Sequence, residues 1–110
     1  MVKMTTNYFI ESVISNLDRN TYRIEWDQFR SCNAYIGSTQ YIADEHGTTH
    51  MIVPIRSYRT IVGFADLTLD DFYEYGKYSS TTSQQVTKIY NRDFKYMTRN
   101  FVNVNTSGRY

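Results

Sequence analysis

This chain has few of the residues that staple or hinge a fold. Its 110 residues include one cysteine, one proline, one tryptophan, two histidines and five glycines. Cys32 alone cannot close an internal disulfide, which suits a reducing compartment. No apolar run approaches the ~18 residues that a membrane helix needs. The opening Met1-Val2-Lys3-Met4 has no long apolar run after its lysine, so no secretory leader is expected. Net charge is scarce too, at +1. These absences exclude a disulfide scaffold and a helical membrane protein, and they predict a soluble cytoplasmic protein.

What is abundant is apolar and aromatic. Hydrophobic residues make up 41% and aromatics 16%, enough for a packed core and too apolar for a disordered chain. The length predicts a single domain over 1–110. Eleven tyrosines exceed what a core holds comfortably, because each phenol oxygen needs a partner or water; some are expected at the surface. The small net charge is also unevenly spread. Asp66, Asp70, Asp71 and Glu74 fall in a stretch without Lys or Arg. From Gly76 onward Lys77, Lys88, Arg92, Lys95, Arg99 and Arg109 face Asp93 alone. Such asymmetry concerns partners more than fold.

The periodicities predict an α+β fold. Ile10, Val13, Ile14 and Leu17 mark a first helix from about Asn7 to Asp18. Trp26, Phe29 and Cys32 repeat at helical spacing and predict a short second helix from Glu25 to Ser31, closed by a left-handed Asn33. From Ala34 to Tyr75 short β-branched and aromatic runs alternate with turn signals. They predict an antiparallel sheet of about four strands, with a turn at Asp44–Gly47, strands at Met51–Ile55 and Tyr58–Phe64, and Pro54 at a strand end, a bulge or an edge. The hydroxyls of Ser79–Ser83 compete to cap a C-terminal amphipathic helix that runs to about Tyr96. Phe101, Val102 and Val104 could add a short strand beyond it.

Lys88, Arg92, Lys95 and Arg99 lie four, three and four residues apart, so a helix would gather them into one cationic ridge. Val86, Tyr90, Phe94, Met97 and Phe101 would fall on the opposite, buried face. With Lys77 before the ridge and Tyr78 and Tyr96 beside it, the pattern suits phosphate contact and base stacking, or an acidic protein surface. No carboxylate stands at the spacing that would neutralise the ridge within the helix.

Catalytic patterns are weaker. Asp44, Glu45, His46 and His50 are the best metal candidates, with Cys32 as a distant fifth ligand. The histidines straddle a turn and lack an intervening glutamate base, so no metal or other cofactor is expected. Ser79–Ser83 offers hydroxyls without an assigned base. Adjacent Asp70 and Asp71 read as a turn, and Gly76-Lys77 lacks the earlier glycine of a phosphate loop. The residues therefore favour a non-enzymatic binding protein.

Ser57-Tyr58-Arg59-Thr60-Ile61-Val62, followed by Tyr78-Ser79-Ser80-Thr81-Thr82-Ser83, resembles a pattern in short phage- and plasmid-encoded proteins: a Ser-Tyr-x-Thr-x-Val strand and a Tyr/Trp-Ser-x-Thr-Thr-Ser helix start. Trp26-x-x-Phe29 also fits that arrangement. Where such proteins often carry a histidine, this chain has Gln84 and Gln85. The resemblance implies a small α+β fold and a mobile-element origin, and assigns no reaction. By genetic context it points to accessory proteins such as anti-CRISPR inhibitors of host RNA-guided nucleases. The expectation is thus an inhibitor that acts through a basic helix face, with a nucleic-acid-binding regulator as the alternative and a homodimer compatible with the Tyr-rich strands.

Overall fold

The computed structural model describes residues 7–30, 32–76 and 79–102. Helix α1 (Asn7–Asn20) leads through a 3₁₀ turn (Thr21–Arg23) into strands β1 (Trp26–Gln28), β2 (Ala34–Gly37), β3 (Gln40–Ala43), β4 (Thr49–Ser57), β5 (Thr60–Asp66) and β6 (Asp71–Tyr75). Helix α2 (Ser80–Ile89), a π-helical turn (Tyr90–Phe94) and strand β7 (Thr98–Val102) follow. The strands make one seven-stranded sheet in the order β1-β2-β4-β5-β6-β7, with β3 paired to the first half of β4. All pairings are antiparallel except β6 with β7, which α2 connects as a crossover.

The α+β class agrees with the sequence; the expected four-stranded sheet and long C-terminal helix do not. The segment expected as a second helix contains β1, in which Trp26, Asp27 and Gln28 pair with Gly37, Ile36 and Tyr35. Three residues show no period, and Phe29 extends the helical spacing only because the chain turns after it. The left-handed residue in that turn is Arg30, with φ 57°, and not Asn33. The Ser-Tyr-x-Thr-x-Val segment is not one strand: Tyr58 and Arg59 form the β4–β5 hairpin loop. Tyr58 has φ 56° and donates its N–H to Asn33 O at 2.7 Å. At the other end α2 stops at Ile89. Tyr90, Phe94 and Met97 keep their inward spacing through a π turn, whose wider winding carries the intervening residues off the helix face.

The sheet has a core on each face. Phe9, Ile10, Val13, Ile14 and Leu17 of α1 pack on Ile42, Ile52, Ile61, Phe64, Tyr73 and Tyr75. Val86 and Ile89 of α2, with Phe29, Phe94 and Met97, pack on Val53, Ile55, Val62, Ala65 and Phe72. A register shift at Ile55/Arg56 leaves Val62 as the extra residue of a β-bulge. The shift lets Ile61 and Phe64, three apart, share the α1 face. Pro54 lies within β4, where the break between β2 and β3 falls beside it and asks for no N–H. Gly37 keeps that place open, since a Cβ there would come within 2.7 Å of both Ile24 and Pro54.

Candidate binding face

The four cations of the expected ridge do not stand together. Lys88 projects from α2 and is exposed. Arg92 lies in the π turn, bonded to Asp93 at 2.6 and 2.9 Å, with its guanidinium 4.5 Å above the Phe29 ring. Lys95 is exposed just past that turn, and Tyr96 beside it is 67% exposed. Arg99 belongs to β7. It donates to the buried Glu74 carboxylate and, at 2.7 Å, to Thr87 Oγ1, so it ties the edge strand to α2. Phe101, expected in the core, is exposed on that strand. Lys77 and Tyr78 lie outside the described residues. The ridge is therefore corrected to Lys88, with Arg92 and Lys95 displaced along the chain and Arg99 withdrawn as a structural cation.

A cation from elsewhere in the sequence lies near Lys88. Arg30 comes from the loop after β1, and its left-handed backbone directs the guanidinium over the Phe29 ring at 5.1 Å. Phe29 is itself buried and so anchors two arginines at fixed positions. Arg30 and Lys88 line the same recess of about 200 Å³, between this loop and the outer face of α2. Among the described residues neither forms a salt bridge. Thr81, Gln84 and Gln85 supply the helix wall. The wall is built by capping: Ser79 Oγ accepts Thr82 N–H at 3.2 Å and starts α2 in the expected hydroxyl run. Ser57 Oγ then meets Thr82 Oγ1 at 3.0 Å and Gln85 Oε1 at 3.1 Å, which fastens the helix to β4. Nothing in the sequence marks Arg30, because a left-handed arginine has no local signature and the segment reads as helix.

The metal candidates resolve differently. Asp44 caps the turn expected at this place, a role the sequence left unassigned, with Oδ1 accepting from His46 N at 2.8 Å and Thr48 N at 3.0 Å. Its Oδ2 meets His50 Nε2 at 2.8 Å, and Asp66 Oδ2 meets His50 Nδ1 at 2.8 Å. His50 is buried, with the Phe9 ring 4.3 Å away. Burial opposes its charge, but the two carboxylates outweigh that and raise its pKa above the usual 6.5. The His50 bond pulls the Asp44 carboxyl down to about 2 against some desolvation. Among the described residues no group of three or more His, Cys, Asp and Glu could hold a metal. Asp66 was legible only as part of an acidic run. Its pairing with His50 had one signal: a polar residue at an inward position of β4, two before Ile52. The acidic run is not one patch, since Asp66 and Glu74 are both buried in ion pairs on different faces.

Comparison with protein families, curated proteins and solved structures gives no match to this chain. Among the described residues no helix is long and apolar enough to cross a membrane.

Proposed function

We infer that the chain is a non-enzymatic binding protein whose α2 face docks on an anionic macromolecular surface. One observation carries this reading: Arg30 and Lys88, far apart in sequence, line one recess, and among the described residues no carboxylate is paired to either. Cations that only solubilise a fold have no reason to converge. Lys95, exposed just past the π turn, adds positive charge beyond the recess, while Arg92 is already paired with Asp93. The strongest catalytic candidate, His50, has both ring nitrogens engaged and none free to take a proton from a substrate. The likeness of the Ser57–Val62 and Tyr78–Ser83 segments to phage and plasmid proteins supplies the context. It favours an accessory inhibitor of a host defence nuclease, in the manner of anti-CRISPR proteins. The test is co-elution of the purified chain with RNA-guided nuclease complexes. A stoichiometric complex should form with the native chain and fail with an Arg30→Gln, Lys88→Gln, Lys95→Gln variant of unchanged circular dichroism. A variant that co-elutes as well as the native chain would remove this face from the mechanism.

Direct binding of nucleic acid is the second reading, favoured by the exposed Tyr96 ring beside Lys95. Gel shifts over a salt series separate the two. Phosphate contact predicts affinity that falls steeply as salt rises, because neutralised phosphates release counterions.

A further inference from the structure

We propose that the recess between the Phe29–Cys32 loop and α2 is a binding site for a phosphate monoester. The proposal rests on the reading of this face as the binding surface and names what sits at its centre.

Among the described residues the lining carries two positive charges and no carboxylate. Arg30 is not a loose surface arginine. Its φ of 57° is a conformation that residues other than glycine seldom adopt, and its guanidinium is stacked on a buried ring. Much of the ordering that an arginine undergoes on binding is therefore already in place. Lys88, from α2, lines the same recess as a compact second charge.

The neutral groups are arranged as donors. Gln85 Oε1 is taken by Ser57 Oγ, which leaves the amide –NH₂ as the group free to meet an acceptor. Thr81 and Gln84 add a hydroxyl and a second amide at the exposed rim. Cys32, also in the lining, already donates its Sγ–H to Phe29 O at 3.0 Å and adds no charge.

This set matches a dianion with three free oxygens. A phosphate monoester brings up to two charges, one for each cation, and a third oxygen for the amide and hydroxyl donors. A carboxylate brings one charge and two oxygens and would leave a cation unanswered. The recess is larger than a phosphate group, so room remains for the alcohol that carries it.

Calorimetry and amide chemical shifts, recorded at constant ionic strength, test the assignment with four probes: adenosine 5′-monophosphate, phosphoserine, adenosine and acetate. Saturable binding is expected for the two phosphate esters, with shifts at Phe29, Arg30, Cys32 and Thr81–Lys88. Arg30→Gln and Lys88→Gln should each weaken it tenfold or more. Binding by both esters identifies the phosphate as the recognised group, and binding by one adds the source. Acetate or adenosine binding as tightly, shifts confined to other surfaces, or affinity unchanged in the Arg30→Gln, Lys88→Gln variant would each overturn the assignment. If neither ester binds while the Arg30→Gln, Lys88→Gln, Lys95→Gln variant still loses the nuclease complex, the recess is not a phosphate site and the docking face stands. If both esters bind while the variant retains the complex, the recess is a phosphate site and the docking reading fails.

Discussion

An imidazole that meets carboxylates at both nitrogens can donate to both only as the imidazolium, since the neutral ring has one N–H. His50 is in that position between Asp44 and Asp66, and the sign of its pH dependence follows. Its folded pKa lies above 6.5, so the native state holds the proton more tightly than the unfolded chain. That stabilisation is complete below about pH 6 and is lost as pH rises through the raised value. Asp44 acts in the other direction. Lowered from 3.8 to about 2, its carboxyl contributes fully at pH values well above 3.8 and loses that contribution as pH falls toward about 2. The urea midpoint is therefore expected to be highest in the mildly acidic range and to decline as pH rises from about 6.5 through the raised value. His50→Gln should flatten the alkaline limb, and a limb unchanged in that variant would assign the decline to another group. Asp66→Asn should cost about 3 kcal/mol or more at pH 6, because it breaks a buried charge pair and also weakens the acceptor of Thr68 and Leu69 N–H.

At the scale of the element, sequence spacing was informative where one rule applied and failed where two rules shared a spacing. Helix α1 was legible because Ile10, Val13, Ile14 and Leu17 fit no other period, and all four are buried. The hydroxyl-capped start of α2 was legible for the same kind of reason. Its end was not, because a π turn keeps Tyr90, Phe94 and Met97 inward almost as an α-helix would. Strand β1 was too short to show alternation, and the hairpin at Tyr58 has no glycine or asparagine to announce it. Of the proposed binding face, Lys88, Lys95 and Tyr96 could be read from sequence. Arg30 could not, and Arg99 was misread because its partner Glu74 lies 25 positions away. Arg99 should therefore behave as a structural residue. Arg99→Met leaves the Glu74 carboxylate buried without this cation and should lower stability by about 2–4 kcal/mol, discounted for the partial exposure of the arginine. Lys88→Gln should shift stability by less than about 0.5 kcal/mol, as an exposed substitution. Paired urea melts of the two variants check the contrast, and equal losses would mean that the two cations share one role.

At the scale of the molecule, two cores lie on opposite faces of one sheet, and neither has a layer of its own to unfold with. Val62 and Ala65 face α2 from β5, while Ile61 and Phe64 face α1 from that strand. Melting either core therefore breaks strands that the other needs, and a single cooperative transition is expected. Trp26 makes this testable. It packs against the α1-side core, with Nε1 donating to Thr21 O at 2.9 Å and the Arg56 guanidinium 4.6 Å from its ring. The proposed phosphate recess lies on the other face, beside Phe29 and α2. A ligand held only by the native state stabilises the whole cooperative unit by RT ln(1 + [L]/Kd), about 2.7 kcal/mol at a hundredfold excess over Kd. A phosphate ester bound at Arg30 and Lys88 should thus raise the unfolding midpoint of Trp26 fluorescence, on the far side of the sheet, by the same free energy as it raises that of far-ultraviolet circular dichroism. A shift in the dichroism without one in the fluorescence would show that α2 and β7 open as a unit of their own, with the crossover separable from the antiparallel strands.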